Sequence, residues 1–329
     1  MGISVFEELE RLRMNIVTAL NKKYIPYTTV MLLSAGSNTH DHIKAYLLNS
    51  ELEKNDLEMM QEILSPYDVE VIGLHVDRKM FSENLLENEQ YEIETYYKLV
   101  MMDLLPEEVD RFFYLAGNII VNKSLDEFYS QQFEGMELIA CYDENGLNTL
   151  ENCNDKEQKI FEEAGERENK CFDTDVLLVN FDIIKSKYNF RFFADMMKRW
   201  NNKNKVNSKD IINRAHRGKV KYADFKKYNL FARIAHDFGI NYQEVKEAVS
   251  IINFCGGKPW ENKDIHFDIE KIWWDYAKKT PFYNSLLTNF VKSAFDDNSI
   301  ESNIEQLINI NQSMIEKLKT ITTGIVKAV

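Results

Sequence analysis

Two stretches of the chain carry residues whose types and spacing bear on chemistry. Asp173-Thr174-Asp175 sets two carboxylates on either side of one residue. Such a pair could hold a divalent cation, because hard ions draw much of their affinity from carboxylate charge. The plainer reading is a pair of solvated acids where a strand begins. The second stretch is Phe112-Phe113-Tyr114-Leu115-Ala116-Gly117-Asn118-Ile119-Ile120-Val121-Asn122. Aromatic and β-branched residues flank Ala-Gly-Asn on both sides, so a buried sheet is made to expose one loop there. That loop offers a cation little: Ala116 has no ligand atom, and Asn118 has only a neutral carbonyl oxygen.

The elements that must position these residues follow from the hydrophobic pattern. An amphipathic helix is expected over 1–13, with Val5, Leu9 and Leu12 on one face, then a buried strand over 14–20 and a polar loop over 21–24. A helix over 26–33 opens on Pro26, where a missing N–H is harmless. The segment 38–48 reads as a strand or an irregular connection. A helix over 55–64 takes Asp56 as its N-cap, a strand occupies 69–76, and a helix over 96–104 ends before Pro106. Strands are expected on both sides of Ala116-Gly117-Asn118, with a helix-like turn over 124–129. Further strands fall at 137–142 and 176–180. This alternation of strand and helix implies a parallel sheet with right-handed crossovers, whose ligands sit beyond the carboxyl ends of the strands. The loops after Leu20 and Leu115 lie at two such ends. Residues 144–170 are polar, acidic and Asn-rich, and read as an insertion or mobile loop. Residues 251–260 are turn-dense. Helices over 269–277 and 281–295 carry Trp273, Trp274, Tyr276, Phe282 and Tyr283 as apolar anchors. Ile300, Ile304, Leu307, Met314, Ile315 and Leu318 keep helical spacing beyond them, on a tail that packs on its own protein or supports a protein partner or homodimer.

The chain has 329 residues and a formal charge of −13. An acidic protein is poorly suited to a sequence-independent grip on nucleic-acid backbone, and the Lys- and Arg-rich segment 191–227 reads as a solvated surface. Cys141, Cys153, Cys171 and Cys255 are scattered with no C-x-x-C and no histidine at metal-ligand spacing. Reduced, structural thiols are therefore expected, not a disulfide framework or a zinc site. Residues 1–13 lack the apolar core of a signal peptide, and no run approaches the ~18 apolar residues of a membrane span. The expectation is a cytoplasmic protein with at most peripheral membrane contact. Asp275, Asp296 and Asp297 oppose a strong hold on anionic lipid.

Seven blocks of sequence, in order, resemble glycosyltransferase family 8. Ile16-Val17-Thr18-Ala19-Leu20-Asn21-Lys22-Lys23-Tyr24 is similar to the family's opening strand and loop. Thr95-Tyr96-Tyr97-Lys98-Leu99 is similar to its T-Y-x-R/K-L helix. Tyr114-Leu115-Ala116-Gly117-Asn118-Ile119-Ile120-Val121 resembles its Y-L-D-x-D core. Cys171 to Asn180 resembles its F-N-(S/A)-G-V-x-L-(I/V)-N strand, and Ser208-Lys209-Asp210-Ile211-Ile212-Asn213 falls where the family has D-Q-D-x-(L/I)-N. Asn253 to Trp260 resembles H-(Y/F)-x-G-x-K-P-W, and Trp274 to Tyr283 continues as its W-x-Y-A-x-x-T-P-F-Y segment. The resemblance implies an α/β fold of the GT-A nucleotide-diphospho-sugar transferase type, with a mostly parallel central sheet flanked by helices. The division expected is a helical extension over 1–13, the transferase-like domain over 14–262 and a small helical subdomain over 263–329. It also implies a UDP-sugar donor, a glycan or glycoprotein acceptor, Mn2+, and transfer with retained anomeric configuration. A divalent cation and a lysine would stabilise charge developing on the diphosphate leaving group.

Carried over residue by residue, the resemblance places Ala19, Asn21 and Tyr24 at the nucleotide, Tyr24 lying flat on the uracil. Lys98 faces the sugar, although an exposed helix lysine describes it equally well, and Gly256 and Lys258 meet the diphosphate. Lys209, Asp210 and Asp173 fall at catalytic positions. The metal positions are degenerate: Ala116 and Asn118 replace two aspartates, and Asn253 replaces a histidine. Asp175 is a possible compensating ligand. Lys209 sets a cation where a positively charging transition state prefers an anion or dipole. Three functions stay open on these residues. One is a hexosyltransferase with impaired metal-dependent activity. Another is a non-catalytic partner or scaffold of an active transferase. The third is a metal-independent transferase in which Lys258, with Lys22 or Lys23, neutralises the diphosphate.

Overall fold

The structure, a computed structural model, describes residues 13–82, 93–143, 171–201, 207–261 and 266–294, together with positions 308 and 312. The expected helix over 1–13 lies outside them, save that Arg13 already opens the first strand. The segments 144–170 and most of the tail beyond 294 lie outside them too.

Among the described residues, ten strands form two sheets. β1 (Arg13–Ala19), β2 (His42–Asn49), β3 (Val69–His75) and β4 (Arg111–Leu115) are joined in the larger sheet by β6 (Leu138–Tyr142), β7 (Phe172–Asn180) and β8 (Val220–Tyr222). Their order is β3-β2-β1-β4-β7-β6-β8. All neighbours run parallel except around β7, which is antiparallel to both β4 and β6. The sheet is thus mostly parallel, as the strand–helix alternation requires. The segment 38–48 resolves as a strand: Ile43, Ala45, Leu47 and Leu48 are fully buried, and only a two-sided central strand accommodates so continuous an apolar run.

β5 (Ile119–Val121), β9 (Leu230–Phe231) and β10 (Ile251–Asn253) form the smaller sheet, with β10 in the middle. The strands on either side of Ala116-Gly117-Asn118 therefore belong to different sheets. β4 pairs with β1 and β7, whereas β5 pairs antiparallel with β10. The helix Ile25–Asn38 supports β5 from below: Ser34 Oγ accepts the Val121 N–H at 3.0 Å, and Asn38 Nδ2 donates to the Val121 carbonyl at 2.9 Å. This helix is buried along most of its length. At Gly36 a Cβ would come within 2.4 Å of the Tyr67 carbonyl oxygen, so only glycine permits that approach.

Two helical expectations change. The helix Lys54–Leu64 is capped by Glu53, and Asp56 sits three residues in, where its Oδ2 accepts the Glu53 N–H at 2.9 Å. Asp56 is the inner half of a capping box instead of the cap itself. The segment expected as a helix over 96–104 is a 3₁₀ helix over Ile93–Val100, followed by one α-helical turn, Met101–Leu104. The C-terminal anchors behave as expected. Trp273 on the helix Lys271–Ala277 is fully buried and shares one core with Ile120, Ile252, Phe254 and Trp260.

A buried polar cluster sits at the end of the large sheet away from the loop after β4. Glu137, just before β6, is buried. Its Oε2 accepts from Tyr188 Oη (2.8 Å) and pairs with His216 Nδ1 (2.9 Å), and its Oε1 lies 2.9 Å from Lys187 Nζ and 3.7 Å from Lys219 Nζ. His216 ends the helix Ser208–Ala215, so the cluster ties the far end of that helix to the start of β6. Burial pushes its pKa up, but hydrogen bonds from His216, Lys187 and Tyr188 and the charge of His216 outweigh it and hold it down to about 2. Burial holds the His216 imidazole below its ordinary value.

Candidate functional site

The direction of β7 builds the site. Because it runs antiparallel to β4 and β6, its first residues lie at the carboxyl ends of both neighbours. Leu115 pairs with Val176, Tyr142 pairs with Phe172, and the Ala116 N–H donates to the Asp175 carbonyl at 2.9 Å. The Asp173-Thr174-Asp175 stretch is thereby brought beside Ala116-Gly117-Asn118 from far away in sequence. The smaller sheet closes the same place from the other side, where the Phe254 N–H donates to the Asn118 carbonyl at 3.1 Å.

Four side chains form a closed hydrogen-bonded network there. Asn118 Nδ2 donates to Asn253 Oδ1 at 2.9 Å. Asn253 Nδ2 donates to Asn229 Oδ1 at 3.1 Å and to Asp173 Oδ2 at 3.2 Å. Asn229 Nδ2 donates to the same Asp173 oxygen at 2.8 Å. The Asp175 N–H, at 3.3 Å, is a third donor to it. Asn229 and Asn253 are fully buried, and Asp173 and Asn118 are at most 8% exposed. Asp173 is therefore an internal acceptor, not the solvated acid of the plainer reading. Burial, then the charge of Asp175, pushes its carboxyl up to about 7 against the pull of the Asn229 hydrogen bond.

Lys98 is buried too, which removes the description of an exposed helix lysine. Its Nζ donates to the Thr174 carbonyl (3.1 Å) and Oγ1 (3.3 Å), lies 3.9 Å from Asp175 Oδ1 and sits 4.7 Å over the Tyr114 ring. Burial lowers its pKa, and Asp175 and Asp173 pull it back up. A carbonyl, a hydroxyl, a carboxylate and an aromatic face together hold one ammonium group. Lys209, on the first turn of Ser208–Ala215, binds Asp143 just after β6. Its ammonium is thus paired with a carboxylate. Asp210 accepts the Asn207 N–H at 3.1 Å and so caps its own helix, and burial raises its pKa.

On the other side of the loop, Asn21 Oδ1 accepts the Tyr24 N–H at 3.1 Å and caps the turn Lys22–Tyr24. The Tyr24 ring lies beside Gly117, whose Cβ position is 3.7 Å from Tyr24 Cδ1. Ala19 ends β1 opposite Leu48. Lys22 pairs with Asp56 (3.1 Å) and Glu53 (3.2 Å) on the surface. Gly256 takes φ +89°, a conformation that favours glycine, and lets the chain turn so that Lys258 Nζ reaches back to the Phe254 carbonyl at 2.9 Å. The loop is anchored by Trp260, stacked on Tyr27 at 4.1 Å, and by Trp274 Nε1 donating to the Pro259 carbonyl at 3.2 Å.

The donor set does not fit a divalent cation. Ala116 brings no ligand, Asn253 Oδ1 already accepts the Asn118 N–H at 2.9 Å, and amide oxygens offer no negative charge. Among the described residues no group of three or more His, Cys, Asp or Glu side chains could hold a metal. Asp175 Oδ1 lies 3.9 Å from Lys98 Nζ, so the carboxylate already faces a counter-charge. The sequence reading missed Asn229, Asp143, Thr174 and Tyr114. The one available signal was an asparagine set between Tyr228 and Leu230, since a buried amide must find partners.

Comparison with known proteins agrees with this architecture. A Haemophilus influenzae protein classed by name among the glycosyltransferases is 25% identical over 290 residues, covering 82% of this chain and 84% of its own. Glycosyltransferase GlyA of Streptococcus pneumoniae is 24% identical over 267 residues, which are 79% of this chain and 34% of GlyA. The fold is that of the galactosyltransferase LgtC, solved with donor and acceptor sugar analogs: TM-score 0.67, 19% identity, 83% of this chain and 100% of that one. The glycosyltransferase GlyE of Streptococcus pneumoniae TIGR4 shares it at TM-score 0.59 and 16% identity, over 86% of this chain and 64% of GlyE. Residues 15–264 match the family model "Glycosyl transferase family 8", and the chain belongs to that family.

Proposed function

We propose that the chain descends from retaining UDP-hexose transferases of glycan or glycoconjugate synthesis and keeps the nucleotide-sugar cleft while losing metal-dependent transfer. The observation that carries this reading is the committed amide network, which fills the place between the 116–118 loop and β10 with N–H donors in place of anionic ligands. In this reading the Tyr24 ring takes the uracil with Asn21 beside it, and Gly256 and Lys258 meet the diphosphate. Asp175 and Lys98 face the sugar position, and Lys209 and Asp143 border it. Residues 1–13, 14–262 and 263–329 remain the proposed division of the chain.

The test is UDP release from a panel of UDP-hexoses with manganese, with EDTA or with neither, beside thermal shifts with UDP and with manganese alone. UDP is expected to raise the melting temperature equally with and without EDTA, manganese alone to leave it unchanged, and no turnover to be abolished by EDTA. Absence of any UDP effect would overturn the nucleotide assignment. Turnover that EDTA abolishes would overturn the loss of metal dependence.

The double variant Ala116→Asp/Asn118→Asp is expected to stay without manganese-dependent turnover. A carboxylate at position 118 would face Asn253 Oδ1, now 2.9 Å from a donating amide, and would repel the oxygen it should bind beside. Manganese-dependent transfer by this variant, in the same release assay, would show that the departure is confined to the loop.

A further inference from the structure

The network raises a question of mechanics that its chemistry answers. The small sheet β5-β10-β9 and the large sheet meet at the cleft with few backbone bonds between them. Those described are Ala116 N–H to the Asp175 carbonyl on the large-sheet side, and Phe254 N–H to the Asn118 carbonyl on the small-sheet side. The loop 116–118 hangs between these two bonds. What spans the gap behind it is the side-chain path Asn118–Asn253–Asn229–Asp173, with Asn229 immediately before β9, Asn253 ending β10 and Asp173 on β7. Burying so many polar groups is costly unless each is satisfied, and here the donors run in one sense and converge on a single carboxylate oxygen.

We infer that Asn229 is a positioning residue that completes a metal-free strut across the two sheets, holding the 116–118 loop in place without a cation. Asn229 does two things at once: its oxygen accepts one hydrogen of Asn253, and its amide donates to Asp173. It therefore fixes the orientation of the Asn253 amide, which in turn fixes Asn118. Any consequence for nucleotide binding rests on the UDP-sugar reading above. The strut itself does not.

The hydrogen-bond directions supply the test. Asn229→Asp changes no shape but sets a second carboxylate against the oxygen of Asp173. Adding Asp173→Asn removes the second charge and lets an amide donate to the new carboxylate, at the cost of the Asn253 and Asp175 donations to the same atom. Hydrogen exchange of the Ala116, Ile119 and Phe254 amides is measured in EDTA on the unmodified chain, on the single variant and on the double variant. Exchange at these amides is expected to quicken by about tenfold to a hundredfold in Asn229→Asp, from loss of buried pairing. It is expected to return part of the way to the original rate in the double variant, which removes the repulsion but not every lost bond. Added manganese is expected to slow none of them in the unmodified chain.

If Asn229 only fills space, the isosteric single variant will exchange like the parent, and the inference fails. It also fails if the double variant stays as open as the single one, or if manganese tightens the loop of the parent. UDP affinity by thermal shift forms a separate arm. If UDP binds the parent, Asn229→Asp should weaken it about tenfold, from loss of loop preorganisation, and the double variant should recover it in part; unchanged affinity in the single variant would overturn the role at the cleft. No UDP binding by the parent would end the nucleotide reading, while the exchange rates would still judge the strut.

Discussion

Glu137→Ala is expected to destabilise the protein by about 3–5 kcal/mol, the range for removing one partner from a buried charge cluster. The loss is large because the carboxylate is the shared acceptor of Tyr188 and His216 and the counter-charge of Lys187 and Lys219. None of those groups has another carboxylate described at hand. Urea denaturation measures it, and a loss under about 1 kcal/mol, the scale of an exposed ion pair, would show the cluster to be a surface feature. The pH dependence has a definite sign. The Glu137 pKa is held down to about 2 in the folded protein, so its contribution is present above the ordinary glutamate pKa and lost as pH falls towards 2. His216 acts in the same direction. Burial lowers its pKa, so the unfolded chain takes up the proton first and stability declines as pH falls below about 6.5. Glu137→Gln should flatten the acid side of the stability curve relative to the parent.

Asp173→Ala is expected to cost about 2–5 kcal/mol, since it leaves the Asn229 and Asn253 amides and the Asp175 N–H without their acceptor in a dry site. Asp173→Asn keeps an acceptor oxygen and should cost much less. Here the pH sign is opposite to that of Glu137. Burial and Asp175 raise the folded pKa of Asp173 to about 7. Its contribution is therefore fully present below the unfolded value near 4 and is lost as pH rises through 7. The stability of Asp173→Asn measured against the parent should improve steadily between pH 4 and pH 8. A difference that stays flat across that window would mean Asp173 is ionised throughout.

The strand–helix alternation made the large sheet legible in the sequence, because period and punctuation are local properties. Pairing is not local. The stretch Phe112 to Asn122 reads correctly as strand, loop and strand, yet nothing in it says that Val121 pairs with Ile251 or that Leu115 meets Val176. The same limit governed the site. Seven blocks in order pointed to the family, and the replacements at Ala116, Asn118 and Asn253 were plain. Asp173 and Lys98 carry charged side chains that are ordinarily solvated, and only the antiparallel direction of β7 puts them inside. Asn229 and Glu137 belong to no periodic pattern. Each is a polar residue next to apolar ones, and its importance comes from partners distant in sequence.

The smaller sheet also sets an order of assembly. β5 is made early in synthesis, but its partner β10 and the neighbouring β9 emerge only after most of the chain. Until then Ile119, Ile120 and Val121, all fully buried in the finished protein, have an open strand edge. Closing so long a loop is slow, and the exposed edge is a site for non-native pairing in the meantime. A nascent chain halted before residue 251 can already hold β1 to β4, but not the strand on which the Asn118 amide comes to rest. The candidate site is thus incomplete until β10 has been made.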